Sequence, residues 1–279
     1  MESKDIQCEI WLKEIQKRGA LLKNVPEEYK TPKLCLVAVQ QYGGVLEHVP
    51  EEFKTHELCL AAVQQNGKAL RYVPEEYKTP ELCLAAVQQD GRALKHVPEE
   101  RKTPELCLAA VQQNSEALQY VPEERKTPEL CLVAVQKSGR WALQYVPEEC
   151  KTYELCLAAV QKSGSWTLAY VPEEHKTPEL YLAAVRESGW ALADVPEERK
   201  TPKLCLAAVQ QDGRALQYVP GTLKSEKLCF AAVEEDPLAF EYVPEALKTK
   251  KLRRAARKED TRRLEFDMCG CHARRLPRA

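Results

Sequence analysis

The sequence predicts an all-α solenoid of about ten 24-residue repeats, each an α-helix followed by a short second helix or 3₁₀ turn. Three observations carry that expectation. The dipeptide Val-Pro begins at Val25, Val49, Val73, Val97, Val121, Val146, Val171, Val195, Val219 and Val243, in steps of 24 residues except for two of 25. Each step contains a helix start and a helix stop. Each helix also has an apolar centre of the type LCLAAV, apolar almost all round, which one repeat cannot cover alone. Stacked neighbours supply the cover, so the 279 residues grow by addition rather than by enlarging one or two globular cores.

The third copy shows the elements in order. Thr79 is a good N-cap, Pro80 suits the first helical position, and Glu81 lies in the first turn, where the helix dipole favours negative charge. Leu82 to Gln89 are mostly strong helix formers. Asp90-Gly91, like Asn66-Gly67 one copy earlier, ends the helix, and the glycine is expected in the left-handed C-terminal cap. The stretch Lys68–Val73 is too short for a long helix, Pro74 pushes Val73 towards extended geometry, and Pro74–Lys78 is expected to add one helical turn.

The ends differ from the middle as terminal caps should. Counting back from Val25, Lys13 and Glu14 stand where later copies hold Ala61 and Ala62. Counting on from Lys248, Ala255 and Ala256 keep the pair, but Arg253, Arg254 and Arg257 replace the cysteine, leucine and valine. The first copy is polar where a preceding neighbour would pack, so the Ala-Ala pair is expected to face the preceding repeat. Residues 1–30 read as an N-terminal capping repeat, 31–250 as the tandem array, and 251–279 as a C-terminal capping helix and basic tail. At about 8–10 Å per layer, the array should approach roughly 90 Å.

The copy VPEEYKTPELCLAAVQQDGRALKH (Val73–His96) resembles the tandem repeats known as domain of unknown function 4116, a family of bacterial and protist proteins. The matching elements are VPEE, KTPELCLAAV, the NG or DG turn, and AL followed two residues later by Tyr or His, over roughly residues 10 to 250. The resemblance implies no activity and no catalytic residue. The tail after Asp260 departs from the pattern.

Charge and cysteine content narrow the function classes. Lys plus Arg total 41 against 42 Asp plus Glu, so the chain as a whole does not attract nucleic acid or acidic membrane. The tail 251–279 holds ten Lys/Arg against four Asp/Glu, which keeps open an alternative in which it grips nucleic acid. The charged start and the short aliphatic runs predict a cytoplasmic protein without a signal peptide or membrane span. Eight of the twelve cysteines share one repeat phase. Packed helices are too far apart for them to bridge, and one thiol per layer builds no tetrahedral site, so they read as buried small hydrophobes. Tyr181 replaces the cysteine in one copy, which suits packing better than ligation. Cys150 occupies a variable place, either as an exposed, reactive thiol or, the favoured reading, by chance drift. CGCH at Cys269–His272 lacks the second ligand pair that structural zinc sites use. A metal or redox role of the cysteines is a further alternative, but no metal or cofactor is expected.

No nucleophile elbow, phosphate loop or dinucleotide turn is present, and the repeated glutamate pairs with their in-phase lysines read as a solvated charge ladder. An enzyme is therefore not expected. The remaining candidates are Trp141, Trp166 and Trp190, which follow the turn glycine in three consecutive copies where others carry Lys68, Arg92 or Glu116. The first two of these copies also contain the one-residue insertions, with Arg140 and Ser165 the plausible extra residues. The three indoles are either anchors for a partner or seals between layers loosened by the insertions. The expected function is a non-enzymatic scaffold that binds another protein along an extended surface, the variable positions decorating that surface.

Overall fold

From the second helix on, each full helix begins with a hydroxyl that stands in for a missing backbone partner. In the computed structural model, which describes residues 2–256, the Thr79 side chain accepts from Leu82 N at 3.3 Å, with Pro80 opening the helix behind it. The same cap recurs from Thr31 through Ser225. These starts produce a regular series in the first compact unit, residues 1–151: α1 (Glu2–Lys17), α2 (Pro32–Gln41), α3 (His56–Gln65), α4 (Pro80–Gln89), α5 (Pro104–Gln113), α6 (Pro128–Lys137) and a short α7 (Gly139–Leu143). The second unit, residues 152–279, contains α8 (Tyr153–Ser163), α9 (Pro178–Glu187), α10 (Pro202–Gln211), α11 (Glu226–Glu235) and a last helical stretch over 250–256. Among the described residues all regular elements are helical, and the chain is an all-α solenoid.

Between full helices the chain makes two 3₁₀ segments, such as Gly91–His96 and Glu99–Arg101. Within each unit a helix packs on its helical neighbours and on the long 3₁₀ segment of the repeat before it, as α4 does on Gly67–Tyr72. The buried stripe of α4 is Leu82, Cys83, Ala86 and Val87, repeated in phase in α2 through α6. The helix is covered on several sides, as its composition led one to expect, while Leu84 stays 39 % exposed.

The turn glycine departs from expectation in an instructive way. Gly91 does not adopt the left-handed cap, because Asp90, in extended geometry, both ends α4 and caps the 3₁₀ segment by accepting from Arg92 N at 3.0 Å. The glycine is required instead for closeness. A Cβ on Gly19 would lie 2.7 Å from the carbonyl oxygen of Ala38 in the next helix, and Gly43, Gly67 and Gly91 leave still less room against Ala62, Ala86 and Ala110. The second alanine of each pair thus lies where the preceding repeat touches the helix. At the last described helix, where no further repeat is described, Ala255 and Ala256 are half-buried and Arg253 and Arg254 exposed, whereas Ala86 is fully buried.

The charge ladder also differs from its solvated expectation. Lys30, Lys54, Lys78, Lys102, Lys126 and Lys151 are all buried. Lys102 Nζ donates to Glu99 Oε1 at 2.6 Å and to the carbonyl of Tyr120 at 2.9 Å, and Lys30 does the same to Glu27 and His48. The ammonium leaves water because a carboxylate and a main-chain oxygen replace its hydration. Lys30 and Lys102 thus tie one Val-Pro corner to the residue just before the next. Lys224 keeps the bond to the Tyr242 carbonyl at 3.0 Å, but Gly221 stands where the glutamate should be, and burial pushes its pKa below the ordinary lysine value.

Two stability outcomes follow. Gly91→Ala forces a Cβ onto a backbone carbonyl and should cost about 1–3 kcal/mol, whereas Gly221→Ala, which meets nothing within 4 Å, should stabilise by about 0.4–1 kcal/mol. Urea unfolding followed by circular dichroism checks the contrast, and equal effects would remove the close-approach argument. Lys102→Met leaves the Tyr120 carbonyl without its donor, and the same measurement should show a loss of about 1–3 kcal/mol.

Candidate interaction surface

The residue after the turn glycine is where one repeat reaches across to the next. Lys68 meets Asp90 at 3.7 Å, Arg92 meets Glu116 at 2.6 Å and Arg214 meets Asp236 at 2.7 Å, each acid belonging to the following repeat. Trp190 occupies that phase and keeps its geometry with different chemistry. Its indole N–H donates to Asp212 Oδ2 at 2.5 Å, and its ring meets Tyr218 edge-on with centroids 5.6 Å apart. Asp212 is itself fixed, since its other oxygen accepts from Arg214 N at 2.9 Å. The outer part of the ring stays open, 42 % exposed overall.

The insertions are absorbed beyond the buried stripes, at the end of the helix or in the turn that follows. In the first unit the turn winds into α7, which carries Trp141 at 46 % exposure. In the second unit α8 runs one residue longer and Gly164 takes φ +62°, a conformation costly for any other residue. The following segment Gly164–Tyr170 is pinned by buried Thr167, whose hydroxyl donates to the Gly164 carbonyl at 2.6 Å. Trp166 projects from this segment at 66 % exposure.

Trp166 and Trp190 line one cleft of about 760 Å³ in the second unit, together with Leu168, Ala169, Ser188, Ala193 and Asp194. Trp141 belongs to the first unit. That unit has its own groove of about 480 Å³, with Lys23, Lys68, Arg71, Glu47, Tyr42 and Tyr72 among its lining residues and the Tyr72 hydroxyl donating to Glu47 at 2.8 Å.

With this geometry established, the family comparison decides the lineage. The model of the family described as "Domain of unknown function (DUF4116)" matches residues 31–78, 55–102, 79–126, 103–151, 177–224 and 201–248. The chain belongs to the DUF4116 family. No curated protein and no solved structure matches it. The matched segments omit residues 152–176, which include the second insertion and Trp166.

Against the other DUF4116 repeats, Asp194 is the position that sequence reasoning missed. The residue before each Val-Pro is Tyr or His in eight copies, Asn24 in the first, and acidic only at Asp194. Comparing copies at that phase would have singled it out.

Cys150 is corrected. It is buried rather than exposed, and its Sγ donates to the carbonyl of Lys126 in the preceding repeat at 3.3 Å. Its phase faces the preceding corner, as Arg199 shows by donating to the Lys176 carbonyl at 2.5 Å, so this variable place packs between repeats more than it decorates the surface. Tyr77 and His175, at the same phase, are half-buried. The in-phase cysteines are fully buried, and Cys83 and Cys107 place their thiols 3.5 and 3.6 Å from the carbonyls of Lys78 and Lys102. Among the described residues no group of three or more His, Cys, Asp or Glu is arranged to hold a metal, and no helix is long and apolar enough to cross a membrane. Cys269–His272, Arg257 and the remainder of the basic tail lie outside the described residues.

Burial pushes the Cys35 and Cys59 thiols up to about 11 and Cys131 up to about 12, so at pH 8 these groups are protonated as well as covered. In a Cys269→Ser, Cys271→Ser background, a disulfide reagent at pH 8 should modify Cys8 promptly. It should reach the nine buried thiols only as urea unfolds the chain. Rapid modification of Cys150 in the folded protein would contradict its burial.

Proposed function

We propose that the chain is a non-enzymatic scaffold that binds another protein along the solenoid surface, with Trp141, Trp166 and Trp190 as its anchors. One observation carries the reading: Trp166 and Trp190 present exposed indole surface to a common cleft, at a phase where other repeats hold cation–acid bridges. Large aromatic side chains held rigidly at a surface contribute strongly to protein interfaces, because little conformational freedom is lost when they are covered. The Trp190 ring is held in this way by Asp212 and Tyr218 before any partner arrives. The repeat architecture supports the reading as well, since it adds surface with each layer and leaves the constant positions to do the folding.

The test is capture from native lysate by the full chain, quantified by mass spectrometry, against a Trp141→Ala, Trp166→Ala, Trp190→Ala variant whose helicity is checked by circular dichroism. A partner should be captured at least about tenfold less by the variant, the scale expected when interface aromatics are truncated. Because Trp190 also braces its repeat, a Trp141→Ala, Trp166→Ala double variant accompanies it. Equal capture by wild type and both folded variants would remove the tryptophans from the interface.

A further inference from the structure

The cleft in the second unit carries more information than its tryptophans. Its lining includes Trp166, Trp190, Leu168, Ala169, Ser188 and Asp194, and Asp194 is the one charged residue among the described lining groups. It arises from a substitution that does two things at once. Most copies place a tyrosine or histidine ring immediately before Val-Pro, as at Tyr120 and Tyr218, and Asp194 removes that ring and leaves a carboxylate. The same substitution therefore opens room and charges the wall of the space it opens.

We infer that this cleft takes a guanidinium group, an arginine side chain of a protein partner, held between indole surface and the Asp194 carboxylate. The inference rests on the interaction-scaffold reading and names the chemistry of its ligand. Aromatic faces carry negative quadrupole charge and attract cations, most strongly at indole. A guanidinium is planar and weakly hydrated, so it stacks on an indole while its N–H fork meets a carboxylate, which a compact ammonium does less well. Asp194 makes no ion pair and no side-chain hydrogen bond among the described residues, and partial desolvation raises its pKa, so it gains from a cation that replaces lost water. Trp190 cannot turn away freely, since Asp212 and Tyr218 hold it from the far side. The unit-one groove sets Lys23, Lys68 and Arg71 against the carboxylate of Glu47, which already accepts from the Tyr72 hydroxyl, so its cationic excess disfavours the same ligand.

The probe is the pentapeptide acetyl-Ala-Ala-Arg-Ala-Ala-amide, titrated into the full ¹⁵N-labelled chain and followed through the indole N–H signals of its four tryptophans. Trp166→Phe and Trp190→Phe assign the two relevant signals. The expected result is a saturable shift of the Trp166 and Trp190 signals. The citrulline and lysine analogues should bind at least about tenfold and threefold more weakly, and Asp194→Asn should weaken the arginine peptide about tenfold. Asp194→Tyr, which restores the residue most copies hold and should keep the fold, should abolish binding. No saturable shift up to about 20 mM, a range that reaches below the weakest millimolar association, would overturn the proposal, as would citrulline binding equal to arginine. A lysine peptide binding as tightly would overturn the choice of guanidinium. Each of these failures leaves the lysate experiment standing, whereas arginine binding with no tryptophan-dependent capture would sink the protein-partner reading alone.

Discussion

The contact on which most of the layers depend is the approach of a turn glycine to the alanine carbonyl of the next helix, made at Gly19, Gly43, Gly67, Gly91, Gly189 and Gly213, with a buried Ser115 at the same phase in one copy. It sets how near consecutive layers lie, and so it sets what else can fit between them. Where Gly91 meets Ala110, only hydrogen occupies the gap, and the small pair Ala109-Ala110 follows from the same shortage of space. A period held by backbone contact resists drift in length, because one added residue inside a helix would rotate the contact away from its target. The two insertions obey that constraint. Both helices keep their buried stripes, and the extra residue is taken up past them, as the short α7 in one case and as one more residue at the end of α8 before the positive φ of Gly164 in the other.

The buried lysine is the second constraint, and it acts on the corners rather than on the layers. A solvated lysine would tolerate arginine, glutamine or threonine from copy to copy, yet Lys30 through Lys248 appear in every Val-Pro corner. At Lys30, Lys102, Lys200 and Lys224 the ammonium reaches the carbonyl just before the following Val-Pro, and at Lys30 and Lys102 it meets its own glutamate as well. A surface pair of this spacing contributes little; a buried donor that satisfies a main-chain oxygen contributes more, because its loss leaves that oxygen dry. The carboxylates respond accordingly. Lys176 and Lys248 hold Glu173 and Glu245 below their ordinary range. Their contribution is present above the unfolded carboxylate pKa and is lost as pH falls through the lower folded value.

Much of this fold was legible in the sequence, and the parts that were not share one physical reason. Helix starts were readable because Thr-Pro-Glu has one local use, and the 24-residue period was readable from simple recurrence. The glycine was misassigned because a residue without a Cβ serves two purposes, a positive φ or a close approach, and both leave the same letter. The lysine was misassigned because Glu and Lys three residues apart look alike whether or not a distant carbonyl lies over them. Cys150 was misread for the same reason, since the atom that covers it belongs to Lys126, 24 residues earlier. Local chemistry shows in local sequence; a partner that arrives from another repeat does not.

The candidate cleft follows from that rule applied across the copies. A repeat array supplies its own control, because each position can be compared with nine others that share its surroundings. Lys68, Arg92 and Arg214 direct their charge to an acid of the following repeat. Trp190 retains the inward bond through its indole N–H and offers its ring outward, so one residue both holds the layers and presents a contact. Asp194 then departs from its phase within the same cleft, where a ring would otherwise fill the space. Substitutions that drift independently have no reason to fall on one cavity with one polarity. Here an inserted residue, an indole and a carboxylate converge in the repeats around Trp166 and Trp190, while the helices beneath them keep the common stripe of buried residues that folding requires.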